Sequence, residues 1–517
     1  MPSPAGTGFG SFEFSDHDGT AWAWSLSEPY GARDWWPCKD HPSDKADSVD
    51  VYVTSTALYK VASNGRLAHI TFNGDGTRTT HWSERYPIAT YLVSVALTNY
   101  AEFTNWFRYS PTDSMLILNY VIPEHLDDAQ AQLPEVISML AVFSQAYGTY
   151  PFIKEKYGHA EFGWGGAMEH QTMTSTTTFS SDVIAHELAH QWFGDLITCA
   201  SWQHLWLNEG FASYSEAVYR EQKYGPLGYW SSILARMDLA LGALGSLYVQ
   251  DTTSVRTLFD NRLVYSKGAS VLHMLRHVLG DTVFFNALHA YVNDQGVRFK
   301  TATTEDFQRV CEQVSGKSLG YFFREWVYGE NYPRYNLRWS THSESGAHVV
   351  TVHIDQVTNT ANPAYFTMPL DVRLASGSWD TTVVVFNNSA SEDFLLTASQ
   401  QPDTVQLDPG HWVLRDILPS NPELPKVFVL HQNFPNPFNG GTTITFDVPR
   451  KRRISLGVFN ILGQEVAVLA DGVSEPGTHT VTWNGTGPEG GLLSSGVYFC
   501  RLTSEGFGEV RKLLLIR

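Results

Sequence analysis

The stretch Ser181-Asp182-Val183-Ile184-Ala185-His186-Glu187-Leu188-Ala189-His190-Gln191-Trp192-Phe193-Gly194-Asp195 governs the reading of this chain. His186 and His190 stand one helical turn apart, so both imidazoles lie on one face and can ligate a single metal ion. Glu187, next along the helix, flanks that metal without binding it and can take a proton from water there. Glu209 follows His190 by 19 positions, inside Leu205-Trp206-Leu207-Asn208-Glu209-Gly210-Phe211, the opening of a second helix that runs toward a stop at Gly225-Pro226. Two imidazoles and one carboxylate leave a fourth tetrahedral position for water, the arrangement of a catalytic rather than a structural zinc. Calcium would ask for more oxygen ligands.

Outward from this motif the period changes twice. From Ser48 to Tyr120 short β-rich runs such as Val51–Val53, Leu67–Phe72 and Tyr91–Leu97 are separated by turns at Asn64-Gly65 and Asn73-Gly74-Asp75-Gly76. After Pro123 the spacing of Val136, Ile137, Met139, Leu140 and Phe143 opens a helix-rich stretch that lasts to about Tyr328. Strands return beyond Pro333, at His348–Val357, Leu370–Leu374, Thr381–Phe386 and Val405–Leu407, as in a small β-sandwich. Pro419, Pro422 and Pro425 stiffen a linker over Ile417–Val427, and a separate β domain follows. The expected fold class is multidomain α+β: residues 1–122 a partial N-terminal β domain, 123–332 a mainly helical zinc peptidase domain, 333–416 a β-sandwich, 417–427 the linker and 428–517 a C-terminal domain.

With 517 residues the chain is too long for one core. A net charge of −18 argues against nucleic acid or an anionic membrane as partner and favours a cationic ligand. No apolar run reaches the ~18 residues of a membrane span. Cys38, Cys199, Cys311 and Cys500 lie far apart, which leaves both disulfides and buried free thiols open. Met1–Gly10 has neither a basic start nor an apolar stretch, so it does not read as a signal peptide.

The His186–Asp195 and Trp206–Tyr214 stretches, with the separation of Glu209 from the first helix, resemble the gluzincin aminopeptidases, the family of aminopeptidase N and of the leukotriene epoxide hydrolase. The resemblance runs from about Gly8 to Leu414 and implies a thermolysin-like catalytic domain. Gly166-Ala167-Met168-Glu169-His170 is similar to the family's Gly-Ala-Met-Glu-Asn motif, which implies that Glu169 binds the free amino terminus of a peptide substrate. His170 stands where the family has Asn; it can donate to a substrate carbonyl and is expected to titrate near neutral pH. The Ser25–Asp40 block implies a second amine-binding side chain at Glu28, with Leu26 where the family often has Gln. The block Val264-Tyr265-Ser266-Lys267-Gly268-Ala269-Ser270 implies that Tyr265 points at the oxyanion. The implied activity is zinc-dependent removal of N-terminal residues. The alternatives are an endopeptidase or epoxide hydrolase on the same site, and a surface binding protein without catalysis.

The tail, with His431–Asn439, Val458–Val466, Gly477–Gly485 and Ser494–Leu502, resembles the C-terminal sorting domain of the bacterial type IX secretion system, an Ig-like β-sandwich. That resemblance implies a secreted or cell-surface protein with the secretion machinery as a partner. Cargo of that system first crosses the inner membrane with a signal peptide, so the expectation is that the gene product is longer at its N-terminus, with sheet edges left unpaired near Gly8–Trp24.

Overall fold

The computed structural model describes residues 9–344, 347–418, 427–474, 477–488 and 490–517. Most of the Pro-rich linker, including Pro419, Pro422 and Pro425, and most of Met1–Gly10 lie outside the described residues. The chain divides into two units, one of residues 1–335 with 339–416 and one of 417–517 with 336–338.

The first unit begins with antiparallel sheet. Phe12–His17, Thr20–Ser25, Val95–Thr98 and Lys60–Ser63 pair in that order. Phe12–His17 is the outer strand, and Phe14 is 66% exposed. Val49–Thr56, Thr77–Glu84 and Arg66–Phe72 make a second sheet, and the side chains of Val49–Thr56 alternate between partly buried and exposed. The expected turns are present: Gly65 has φ +73°, and a Cβ there would lie 2.2 Å from the Ser83 carbonyl oxygen, so only glycine fits.

A five-stranded sheet follows, in the order Ala167–Met168, Thr174–Thr176, Lys156–Glu161, Ser114–Val121 and Ala101–Arg108. It joins strands from both sides of the boundary expected at 122–123, because Lys156–Glu161 pairs in parallel with Ser114–Val121. Sequence periodicity marks where strands end and helices begin, but not which sheet a strand enters. Ala167–Met168, from the motif around Glu169, is the outer strand of this sheet.

Helices pack against it. Helix α1, Val136–Tyr147, buries Val136, Met139, Leu140, Phe143 and Tyr147, the helical face read from the sequence. Helix α2 is Ser181–His190 and α3 is Trp206–Tyr224, whose residues from Trp206 to Tyr219 are all buried. Gly225 (φ +73°) ends α3, and Pro226 occupies the first turn of α4, Pro226–Leu241. Asn261–Lys267 is a π-helical turn that runs straight into α5, Gly268–Leu279. Beyond the helices, Ser391–Ala398, Ala347–Val357 and Arg334–Glu344 form one sheet and Trp379–Asn387, Met368–Ser376 and Thr404–Leu407 another. Val350, Val352, Ile354, Leu370, Val372 and Leu374 of these strands are buried, as in a sandwich.

The second unit is a two-sheet sandwich. Val429–Leu430, Thr442–Val448 and Gly477–Trp483 form one sheet; Glu465–Ser474, Arg452–Phe459, Gly496–Ser504 and Phe507–Leu515 form the other. Its core holds Leu430, Ile444, Phe446, Leu456, Trp483, Tyr498 and Leu513, which agrees with the Ig-like expectation. All four cysteines are free thiols, three of them buried. Among the described residues no helix is long and apolar enough to cross a membrane.

Candidate active site

Helices α2 and α3 bring His186, His190 and Glu209 together: their donor atoms lie within 4.8 Å of one another. Each imidazole is oriented through its other nitrogen. His186 Nδ1 lies 2.8 Å from Glu216 Oε1, and His190 Nδ1 lies 3.1 Å from the Phe193 carbonyl oxygen. With Nδ1 donating in both rings, the two Nε2 atoms face Glu209 Oε2 at 3.2 and 3.4 Å. Lone pairs on two Nε2 atoms and a carboxylate oxygen converging on one point suit zinc, whose ligands are imidazole nitrogens and carboxylates. Glu216 also accepts two 2.7 Å hydrogen bonds from Arg236 Nη2. It stands seven residues after Glu209, two turns along the same face of α3, and that spacing could have identified it in the sequence.

Glycines set the approach of the next element. A Cβ on Gly268 would lie 2.7 Å from the Gly210 Cα, and one on Gly210 would lie 2.9 Å from the Gly268 Cα. The backbones of α3 and α5 therefore touch beside Glu209. This contact carries the π-helical turn, and with it Tyr265, to the metal cluster: the Tyr265 and His186 rings lie 6.0 Å apart at 22°. π-Helical turns recur at functional sites because the wider turn re-aims a side chain.

Glu28 and Glu169 enter the same space. Glu28, Glu169 and Glu209 form one group of mutually close oxygens, and Glu169, Glu187 and His190 another. Glu169 accepts a 3.3 Å hydrogen bond from the Tyr91 hydroxyl, which accepts one from Asn208 Nδ2 on α3. Among the described residues Glu28 Oε1 and Glu187 Oε2 are buried without a hydrogen-bond partner, and both side chains line the same cavity. Together these groups line a cavity of about 110 Å³, walled also by Phe9, Leu26, Trp164, Ala167, Met168 and Tyr265.

The electrostatics follow from burying this much acid together. Burial, and then the neighbouring Glu169 and Glu209, hold the Glu28 carboxyl well above the usual carboxylate range. Glu169 is raised, chiefly by burial. Burial pushes Glu187 up to about 8 against the pull of His186 and His190. Glu209 is also buried, but the two imidazoles outweigh that and hold it at about 2. His186 is raised to about 9: burial opposes its charge, and Glu209 and Glu216 favour it more. Burial and the surrounding carboxylates raise the Tyr265 phenol, which therefore stays a neutral donor. Five carboxylates around two imidazoles make a pocket that favours cations, a metal ion and an ammonium group.

Two sequence expectations change here. His170 is fully buried, hydrogen-bonded through Nδ1 to Ser175 Oγ at 2.8 Å, and does not line the cavity. Burial lowers it to about 3, so it stays neutral and does not titrate near neutral pH; that burial depends on tertiary packing, which residue type does not reveal. Gly166 also lies off the cavity wall, and its part is steric: a Cβ there would meet the Trp164 ring at 2.4 Å. Tyr91 and Phe9, neither singled out in the sequence, reach the site from distant segments and carry no local spacing signal; Trp164, also not singled out, stands two residues before the Gly166–His170 motif.

The comparisons with known proteins fall on the same segments. Residues 5–92 match the Peptidase M1 N-terminal domain, 167–326 the Peptidase family M1 domain and 432–516 the Secretion system C-terminal sorting domain. The chain is 28% identical to "Probable aminopeptidase 2" of Sulfurisphaera tokodaii over 59% of this chain and 41% of that protein. It is also 28% identical to "Aminopeptidase M1" of Arabidopsis thaliana, over 59% of this chain and 36% of that protein. It thus spans about two fifths of the length of the relatives it matches. Aminopeptidase A of Legionella pneumophila, solved with aspartic acid, shares the fold at a TM-score of 0.70 and 20% identity, over 80% of this chain and 49% of that one. A mutant M1 zinc metallopeptidase of Deinococcus radiodurans, bound to a Tyr-Ser-Ala substrate, matches at 28% identity and a TM-score of 0.53, over 61% of this chain and 71% of that one.

Proposed function

We propose that the chain is a member of peptidase family M1, a zinc aminopeptidase that removes N-terminal residues from peptides and is exported by type IX secretion; the matches over residues 5–92 and 167–326 support the family. The observation that carries this reading is the pair Glu28 and Glu169, two buried carboxylates in the same cavity as the metal ligands. His186, His190 and Glu209 would hold the ion. Zinc bound there supplies Lewis acidity, polarising a carbonyl and making water acidic enough to act near neutral pH.

The chain's own residues do the rest. Glu187, with one oxygen free, takes the proton from the attacking water and later delivers it to the leaving amine. Tyr265, kept neutral, donates a hydrogen bond to the developing oxyanion, a contact worth about 2.7–4 kcal/mol at comparable sites. Glu28 and Glu169 clamp the substrate ammonium, so the first peptide bond alone is presented. At roughly 1.5–3 kcal/mol per charge-assisted hydrogen bond, the clamp separates free from blocked amino termini by about two to four decades. The sorting domain at 432–516 supports export.

The test compares aminoacyl-anilides with their N-acetylated forms. Hydrolysis of the free forms alone is expected, and equal rates on both would favour an endopeptidase. Glu187→Gln should bind zinc stoichiometrically yet lose turnover; hydrolysis by that variant at the wild-type rate would remove Glu187 from its role.

A further inference from the structure

The walls of the cavity carry information that the carboxylates do not. Four of its lining groups, Glu28, Glu169, Glu187 and Glu209, are used by the ammonium, the proton transfer and the metal. What remains on the wall, besides the metal-binding imidazoles and Tyr265, is Phe9, Leu26, Trp164, Ala167 and Met168. Leu26 and Met168 are 2% and 3% exposed.

The aromatic part of this wall is held in place from several sides. The Phe9 ring lies 5.3 Å from Trp164 and 4.7 Å from Phe259, tilted against both. The Phe9 backbone N–H donates to the Glu28 carbonyl at 3.2 Å, and the Leu26 N–H donates to the Ser11 carbonyl at 2.9 Å. Phe9 and Leu26 are thus tied to the segment that carries the amine-binding Glu28. Trp164 packs directly on the Gly166 backbone, where a Cβ would meet its ring at 2.4 Å.

A first residue whose ammonium is held by Glu28 and Glu169 and whose carbonyl faces the His186–His190–Glu209 cluster has its Cα between them. Its side chain must then enter this same small space. A lysine or arginine side chain there would bury a second cation against an apolar wall that, among the described residues, offers no carboxylate beyond those four. A glutamate or aspartate side chain would crowd a further carboxyl group into a pocket that already holds four.

We propose that the apolar wall of Phe9, Leu26, Trp164 and Met168 selects substrates whose first residue is neutral and apolar, such as leucine, methionine or phenylalanine, over those that begin with a charged residue. This preference rests on the aminopeptidase reading of the same site. Each methylene placed on such a wall is worth about 10- to 200-fold in selectivity.

The experiment uses the full chain loaded with zinc. Values of kcat/KM are measured on leucyl-, phenylalanyl-, alanyl-, lysyl- and glutamyl-anilides. Binding of the free amino acids leucine, phenylalanine, lysine and glutamate is measured in parallel from the shift in melting temperature. Leucyl or phenylalanyl substrates are expected to exceed lysyl by at least about tenfold and glutamyl by about a hundredfold, with the same order in binding. Phe9→Ala should narrow the phenylalanyl-to-alanyl ratio by about tenfold, and Leu26→Glu should raise the lysyl-to-leucyl ratio by a similar factor. Because Leu26 is buried, Phe9→Ala stands as the second variant should Leu26→Glu fail to fold. Lysyl or glutamyl substrates turned over as fast as leucyl would overturn the proposal and leave the aminopeptidase reading intact. Absence of turnover on every anilide would overturn that reading, while the binding order would still decide for or against the apolar wall.

Discussion

Replacing Gly268 with alanine separates the stability of the helix pair from the placement of Tyr265, the proposed oxyanion donor. The new Cβ would lie 2.7 Å from the Gly210 Cα, where carbons at contact sit about 3.5–4.0 Å apart, so α3 and α5 must part by roughly 1 Å. Overpacking of this kind costs about 1–3 kcal/mol. Alanine inside a helix returns about 0.5–1 kcal/mol relative to glycine. The net loss of stability is therefore modest, at most about 2.5 kcal/mol, and the protein should remain folded. Catalysis is less tolerant. Glu209 is the neighbour of Gly210, and Tyr265 is three residues before Gly268, so a 1 Å separation acts directly on the distance between the metal site and the oxyanion donor. A misplacement of that size costs on the order of a hundredfold in rate. The assay is kcat/KM on a free aminoacyl-anilide, together with zinc content and a urea unfolding curve. The expected result is stoichiometric zinc, a modest fall in stability and a roughly hundredfold fall in kcat/KM. Wild-type kcat/KM in a folded, zinc-loaded variant would refute the claim that the Gly210–Gly268 contact positions Tyr265.

Other consequences follow from residues outside the first ring of contacts. Glu216→Ala removes the acceptor that orients His186 and takes from Arg236 its carboxylate partner, so zinc affinity measured by chelator competition should fall about 10- to 100-fold. Glu216→Gln keeps an acceptor oxygen and should fall less; equal, unchanged affinities for both would dismiss the orienting role. Because His170 is held at about 3 in the folded protein against about 6.5 unfolded, protonation favours the unfolded chain. The stability this neutral histidine permits is therefore fully present above pH 6.5 and lost as pH falls below it. Between pH 7 and 5.5 that amounts to about 1 kcal/mol, so His170→Asn should lose about that much less stability over this interval in urea unfolding; identical losses in both proteins would place His170 in solvent.

How much of this was legible in the sequence depended on whether the information was local. The grouping of His186, His190 and Glu209 was legible because His186 and His190 share one face of one helix and Glu209 opens the next, and the structure brings their side chains within reach of one another. The turn at Gly65 and the apolar face of α1 were readable for the same reason. The boundary at 122–123 was not, because Ser114–Val121 joins a sheet whose central strand, Lys156–Glu161, arrives 35 residues later, after α1. His170 shows the limit most clearly. The residue type suggested a titrating donor, yet whether an imidazole titrates is decided by what surrounds it, and Ser175 and a fully buried setting make it a neutral structural group. Glu187, on helix α2, is also buried, and like His170 it has an atom without a partner among the described residues, but Glu187 lines the cavity beside the two imidazoles and His170 does not. Burial alone therefore does not separate a structural group from a reactive one. The separation comes from whether the unpaired atom opens onto space a substrate can enter, and that depends on the packing of segments as far apart as Phe9 and Tyr265.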